Sequence, residues 1–370
     1  MLRLSNPLLL VGLIFVCANC NGPSEDNETA AADSTAAPQG MPPEMVKMAA
    51  LDVERGVRLN GDASTPGYVI FSSLVSDDVY MINKDGQVVH TWDGTLGAGP
   101  EYLRDDGRLI RGARDPQAPR FSGGGMMGRI LEYSWDGEIL WEYILANDEN
   151  LIHHDIAPMP NGNILAIVYE HKTAEEVASA GRTPHTIPNE GLWPDMIIEI
   201  EPQRPNGGRI VWEWHSWDHM VQEADPEKPN YGILSEHPEL ININSIDSLN
   251  ESEMTAEQFT EAIMRGDMAM NANANNRGSD MFHTNAINYN AALDQIVVSV
   301  PDYNEIWIID HSTTTEEAAS NSGGNHGKGG DLLYRWGNPE AYDRGTPEDK
   351  WLGFQHDVRW IPQGYPGEGN

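Results

Sequence analysis

A β-propeller is the fold that this 370-residue sequence predicts, and three observations point to it. First, four segments repeat one pattern: "DDVYMINKDGQVVHTW", "GRILEYSWDGEILWEY", "DMIIEIEPQRPNGGRIVWEW", and "NEIWIIDHS" continued by "GKGGDLLYRW". Each is an apolar alternating strand, a turn with glycine, and a second strand ending in an aromatic residue, which is the signature of a hairpin. Second, Gly86, Gly137, Gly208 and Gly330 each stand six residues before Trp92, Tyr143, Trp214 and Trp336. Third, every hairpin after the first follows another strand pair, so the unit is a four-stranded blade recurring at roughly fifty residues or more.

Taken in chain order, residues 1–20, "MLRLSNPLLLVGLIFVCANC", combine Arg3 with a short apolar run from Leu8 to Val16 and then small or polar residues. That is an export signal, too short in its apolar core to span a bilayer stably. Cys17 and Cys20 are the only cysteines, so the exported body makes no internal disulfide. A cysteine closing a signal resembles the start of a bacterial lipoprotein, with Cys20 carrying the lipid. Export to the periplasm, as an outer-membrane-anchored lipoprotein or as a soluble or secreted form, is the expected location. Residues 21–45 are rich in Ala, Ser, Pro, Asp and Glu, and read as a disordered acidic tether.

Residues 46–370 are then the propeller. The strand pairs ahead of the later hairpins are "EYLRDDGRLIRGAR", "HHDIAPMPNGNILAIVYE" and "FHTNAINYNAALDQIVVSV", each broken by its own turn residues. Spacing between repeats grows along the chain. An insertion over about 217–280 accounts for most of the growth, and within it "TAEQFTEAIMRG" reads as a helix with Thr255 and Gln258 as a capping box. The closing "GFQHDVRWIPQGYPGEGN" reads as the first strand and turn of a fifth blade, which makes the chain about four blades and a beginning, incomplete at its C-terminus.

Charge excludes one class of function. With 57 acidic against 23 basic residues the formal charge is -34, a surface that repels nucleic acid and anionic lipid. Chemistry points instead to histidines. His154, His283 and His356 fall at one repeat position, the start of a blade's first strand, which lines the channel of a propeller. Two chemistries suit three converging imidazoles: a zinc site, or attack by one imidazole on an anionic centre while the others and Asn285 donate to the developing charge.

The motifs "HHDIAPMPNGNIL", "VWEWHSWDHMVQ", "FHTNAINYNAALDQIVVSV", "NEIWIIDHSTTTEEA", "GGDLLYRWGNPEAY" and "FQHDVRWIPQGYPGEGN" together resemble the bacterial arylsulfate sulfotransferases, from about Gly67 onward. The resemblance implies an exported six-bladed propeller that moves a sulfuryl group from a phenolic sulfate ester to a phenol without a nucleotide donor, metal or other cofactor. By its Gln-His motif, Gln355-His356, it implies His356 as the nucleophile that is transiently sulfated. By its His-Thr-Asn and His-Asp motifs it implies His283, Asn285 and His154 as sulfate-binding residues, with His153 the second choice beside His154. Where many members have an arginine after the His-Thr-Asn motif this chain has Pro301, and Arg359 or Arg111 is the expected substitute cation. Two other readings stay open on the residues alone: a propeller that binds a ligand or partner without catalysis, and a metal-dependent enzyme using the same histidines.

Overall fold

A computed structural model of the chain describes residues 56–245 and 278–370, apart from residues 58, 74, 75, 118, 119 and 123. All of them belong to the unit Glu54–Asn370. The expected helix around Thr255 and Gln258, the signal segment and the tether lie outside the described residues.

The fold is all-β, and each sheet is wound from strands consecutive in the chain. Strands β1 (Tyr68–Ser72), β2 (Val79–Asn83) and β3 (Val88–Trp92) form the first. Strands β4 (Ala98–Leu103), β5 (Leu109–Arg114), β6 (Gly128–Tyr133) and β7 (Ile139–Ile144) form the second. The third contains β8 (Asn150–Pro158), β9 (Ile164–Glu170), β10 (Asp195–Pro202) and β11 (Gly208–His215). After a small parallel pair, β12 (Met220–Val221) with β13 (Ile241–Asn242), the last comprises β14 (Ala286–Asn290), β15 (Gln295–Val300), β16 (Glu305–Asp310) and β17 (Tyr334–Trp336). Every blade pairing is antiparallel. The three hairpin turns marked by Gly86, Gly137 and Gly162 have φ of +77, +86 and +92°, a region that costs glycine nothing.

Hydrophobic packing runs between blades rather than within them. Val79, Met81 and Trp92 of the first sheet meet Leu109 and Leu131 of the second. Ile130 and Trp141 of the second meet Ile156, Val168 and Ile198 of the third, and Trp212 and Trp214 of the third meet Val298 and Trp307 of the fourth. This is the face-to-face burial of apolar sheet surfaces that a propeller needs.

In each of the first three blades a tryptophan on the last strand has a defined task. Trp92 donates its indole N–H to the Ser134 carbonyl at 3.1 Å, Trp141 to Gly207 at 2.7 Å, and Trp214 to Gly330 at 2.7 Å. Each bond runs from a blade's last strand to the final hairpin connection of the next blade, so the tryptophans latch neighbours together. In the second blade the latch is Trp141, two residues before Tyr143.

Two expectations are corrected. Strand β1 completes the first sheet although its burial pattern is mostly exposed, so no clean alternation announced it. Residues 351–370 form no strand. They are held instead by bonds to the fourth sheet: Gln355 Nε2 donates to the Glu305 carbonyl at 2.7 Å, and Trp360 N–H to Asn288 Oδ1 at 3.0 Å. With no described strand alongside, the segment satisfies its polar groups one at a time.

Candidate active site

The first strands of successive sheets lie against each other, β4 on β8 and β8 on β14. A buried carboxylate joins them. Asp155 on β8 accepts from the Tyr102 hydroxyl of β4 at 2.5 Å and from the Ile287 N–H of β14 at 3.0 Å. Burial raises its pKa to about 6, against the pull of Arg359 and these donors.

Beside this junction stand the histidines. His154 lies within β8, and His283 three residues before β14, yet both have φ of +53°. A left-handed backbone at a non-glycine residue is strained, and holding it at two equivalent blade positions requires a surrounding structure that over-determines it. Part of that support is visible at each position. The His154 N–H donates to the Gly125 carbonyl at 2.6 Å, and the His283 N–H to Asp280 Oδ1 at 3.0 Å. As a result the two rings meet edge to face, their centroids 4.4 Å apart.

His356 reaches the cluster through Phe354. The Phe354 ring lies 5.8 Å from His283 and 5.6 Å from His356, centroid to centroid. Phe354 and Asp357 also have positive φ, +51 and +61°. Gln355 anchors the turn: besides its bond to Glu305, its carbonyl accepts from Asn285 Nδ2 at 3.0 Å and from Ser299 Oγ at 3.2 Å. His356 itself is exposed. Its Nδ1 is 3.2 Å from the Phe354 carbonyl, an acceptor only, so Nδ1 donates in that bond and Nε2 is the nitrogen left outside it.

Electrostatics separates the two inner imidazoles. Burial alone would depress His283, but Asp280 Oδ2 sits 2.7 Å from its Nδ1, with Asp302 and Asp195 adding negative charge, and the result is a rise to about 9. His154 goes the other way. Burial lowers it well below the usual histidine value, and repulsion from His283, His153 and His356 adds to the effect. At neutral pH the pair is one imidazolium beside one neutral imidazole.

The remaining expected residues divide. Asn285 is in the cluster, with its Nδ2 engaged by Gln355 and its Oδ1 buried without a hydrogen-bond partner. Arg359 is tied to the strand junction, donating to Asp357 at 2.7 Å, Tyr102 at 2.9 Å and the Ile287 carbonyl at 3.2 Å, with Asp155 at 3.4 Å. Arg111 is fully buried in the second blade, where it donates to the carbonyls of Asp77, Leu96, Gly97 and Gly112. It is a structural cation. Among the described residues no group of three or more His, Cys, Asp or Glu side chains could hold a metal ion.

His153, the second choice at the His-Asp position, is fully buried, stacked on Tyr169 at 3.5 Å with Nδ1 2.8 Å from that of His154. Other contributors were not foreseen. Asp280 lies three residues ahead of His283, a spacing the sequence did show, and Tyr169 donates its hydroxyl to the same carboxylate at 2.8 Å. Gly125 had no signal beyond its place in a glycine run. Two further histidines are structural: His219 is buried against Asp331 at 2.8 Å, and His311 bridges Asp294 at 2.7 Å and Glu199 at 3.1 Å.

Comparison with known proteins adds a family. A model of the family described as Arylsulfotransferase (ASST) matches residues 104–366, well over half of the chain. No curated protein matches significantly. Among solved structures, a protein of unknown function from Bacteroides caccae is 11% identical with a TM-score of 0.33, the match covering 74% of this chain and 58% of that one. The hydrazine synthase of Kuenenia stuttgartiensis is 12% identical with a TM-score of 0.37, over 73% of this chain and 59% of its own. The chain thus spans less than two thirds of either.

Proposed function

The chain belongs to the arylsulfotransferase family, and from that premise we propose that it transfers a sulfuryl group from an aryl sulfate ester to a phenolic acceptor through a sulfated His356. The observation that carries the reading is the cluster itself: an exposed imidazole whose Nδ1 is engaged by a carbonyl and whose Nε2 is not, next to a buried imidazolium and a neutral imidazole.

In the first half-reaction Nε2 of His356 bonds to sulfur as the S–O bond to the aryl group breaks, and the electron pair leaves on the phenolate oxygen. The imidazolium of His283 and the amide of Asn285 offset the charge on the sulfuryl oxygens. Water returns a proton to the phenolate. In the second half the acceptor oxygen bonds to sulfur, the N–S bond breaks back onto His356, and neutral His154 takes the acceptor's proton. Arg359 contributes positive charge at the edge of the site. Export, with lipid attachment at Cys20, belongs to the same proposal and rests on the sequence.

The test is direct. Full-length protein is given 4-nitrophenyl sulfate and a phenol, without nucleotide, and release of nitrophenolate is followed. His356→Ala is expected to abolish transfer and the acid-labile sulfated intermediate. Unchanged transfer in that variant overturns the assignment.

A further inference from the structure

Around His283 the contacts exceed what packing alone requires. Asp280 Oδ1 accepts the His283 backbone N–H at 3.0 Å, and Oδ2 accepts its Nδ1–H at 2.7 Å. The Tyr169 hydroxyl donates to Oδ2 as well, at 2.8 Å. The backbone of Asp280 is pinned in turn, because it bridges Trp193, whose N–H donates to the neighbouring Ser279 carbonyl at 2.6 Å. A carboxylate gripped from three sides fixes both the strained backbone and the ring plane of the histidine it holds.

Building on the sulfuryl-transfer reading above, we propose that Asp280, braced by Tyr169, is the positioning residue that holds the His283 imidazole with Nδ1–H given to the carboxylate and Nε2–H presented to the sulfuryl oxygens of the donor. A neutral imidazole with Nδ1–H bound to a carboxylate has only a lone pair at Nε2, and cannot donate there. Donation from Nε2 therefore requires the imidazolium, and the neighbouring charges decide whether that form persists.

Those charges come from every element packed on the ring. Asp280 precedes it in the same segment, Asp195 stands on β10 and Asp302 follows β15, all three favouring the cation. Across the edge-to-face contact His154 on β8 yields by staying neutral, lowered by burial and by repulsion from His283. Tyr169 on β9 stays a phenol, since burial and the charge of Asp280 push its pKa well up. A chain of formal charge -34 repels an anionic donor at long range. A fixed local donor with a positive charge is what allows the sulfate to dwell.

The experiment reads His283 separately from turnover. Imidazole proton–nitrogen NMR on the full chain, with the resonances assigned through His283→Gln, follows titration of the ring in wild type and in Asp280→Asn. The wild-type ring is expected to stay protonated through pH 8, and in D280N to lose its proton below neutral pH. Inorganic sulfate, titrated in the same spectra, is expected to bind D280N about tenfold more weakly at pH 7.5, one pKa unit of interaction being a factor of ten. Near-wild-type binding is expected to return at pH 5.5, and Asp280→Glu is expected to retain the high-pH binding better than D280N.

Three results overturn the proposal: a wild-type His283 that titrates at or below the ordinary histidine value, an unmoved titration in D280N, or sulfate binding lost equally at both pH values. The first needs no variant, so it holds even where D280N folds poorly. Wild-type protein that meets these expectations but transfers no sulfuryl group to any phenol refutes the reaction and leaves the Asp280–His283 assignment standing. Transfer that depends on His356 while D280N changes nothing refutes only the assignment.

Discussion

At the scale of single residues, the cluster depends on a glycine that no motif marked. A methyl group on Gly125 would lie 2.2 Å from Cδ2 of His154, and the backbone there has φ of +63°. Both a clash and backbone strain follow from Gly125→Ala, and the ring is the part free to move. The variant is expected to fold, with a lower thermal midpoint and kcat/KM reduced about 100-fold, the size of loss that a displacement of about 1 Å produces. Gly137→Ala is the control. It has positive φ too, but nothing within 4 Å of the added carbon, so it costs only strain and leaves kcat/KM unchanged. The histidines themselves were legible because one residue type recurred at one repeat position. The reason they can meet was not legible: a left-handed backbone at His154 and His283 leaves no trace in composition or periodicity.

At the scale of elements, alternation was enough to find most strands, since a half-buried strand must write its two faces into the sequence at period two. It failed at both ends of the described chain. Strand β1 exposes most of its residues, so Tyr68, Val69 and Phe71 show no inside and outside. Residues 353–363 do alternate in part, but an alternating segment becomes a strand only when a neighbour completes its ladder. The tryptophan latches show the complementary case, where a repeated aromatic was noticed and its partner was not. In Trp214→Phe the ring volume largely remains while the Gly330 carbonyl, buried against the third blade, loses its donor. Unfolding in urea is expected to show a loss of about 1–3 kcal/mol, the cost of an unsatisfied buried acceptor. Trp336→Phe provides the comparison: Trp336 is 42% exposed, and the change is expected to cost under about 0.5 kcal/mol.

At the scale of the whole molecule, the sequence stated the net charge but not where charge is held. Among the described residues His215, His283 and His311 bind their protons more tightly in the fold than in the unfolded chain, and the first two are pushed furthest, to about 9. For His215 burial works against the proton, but Glu170 at 3.1 Å and Glu213 at 3.4 Å outweigh it and push the pKa to about 9, as Asp280 does for His283. Between the ordinary value of 6.5 and about 9 the folded state therefore holds protons that the unfolded state has released. Stability falls with pH wherever the native state binds more protons. The contribution of both groups is complete below about pH 6.5, and is lost as pH rises through about 9. General repulsion among 57 acidic side chains pushes the same way at low salt, so a pH series alone does not separate the causes. Salt does. At 1 M the Debye length is about 3 Å, which removes the surface term and spares partly buried ion pairs. Unfolding free energy measured from pH 6.5 to 9.5 is expected to rise overall on adding salt, yet keep its downward slope. Asp280→Asn and His215→Gln are each expected to remove part of that slope, and a profile that becomes flat in salt with both histidines intact would mean that their protons are not held by the fold.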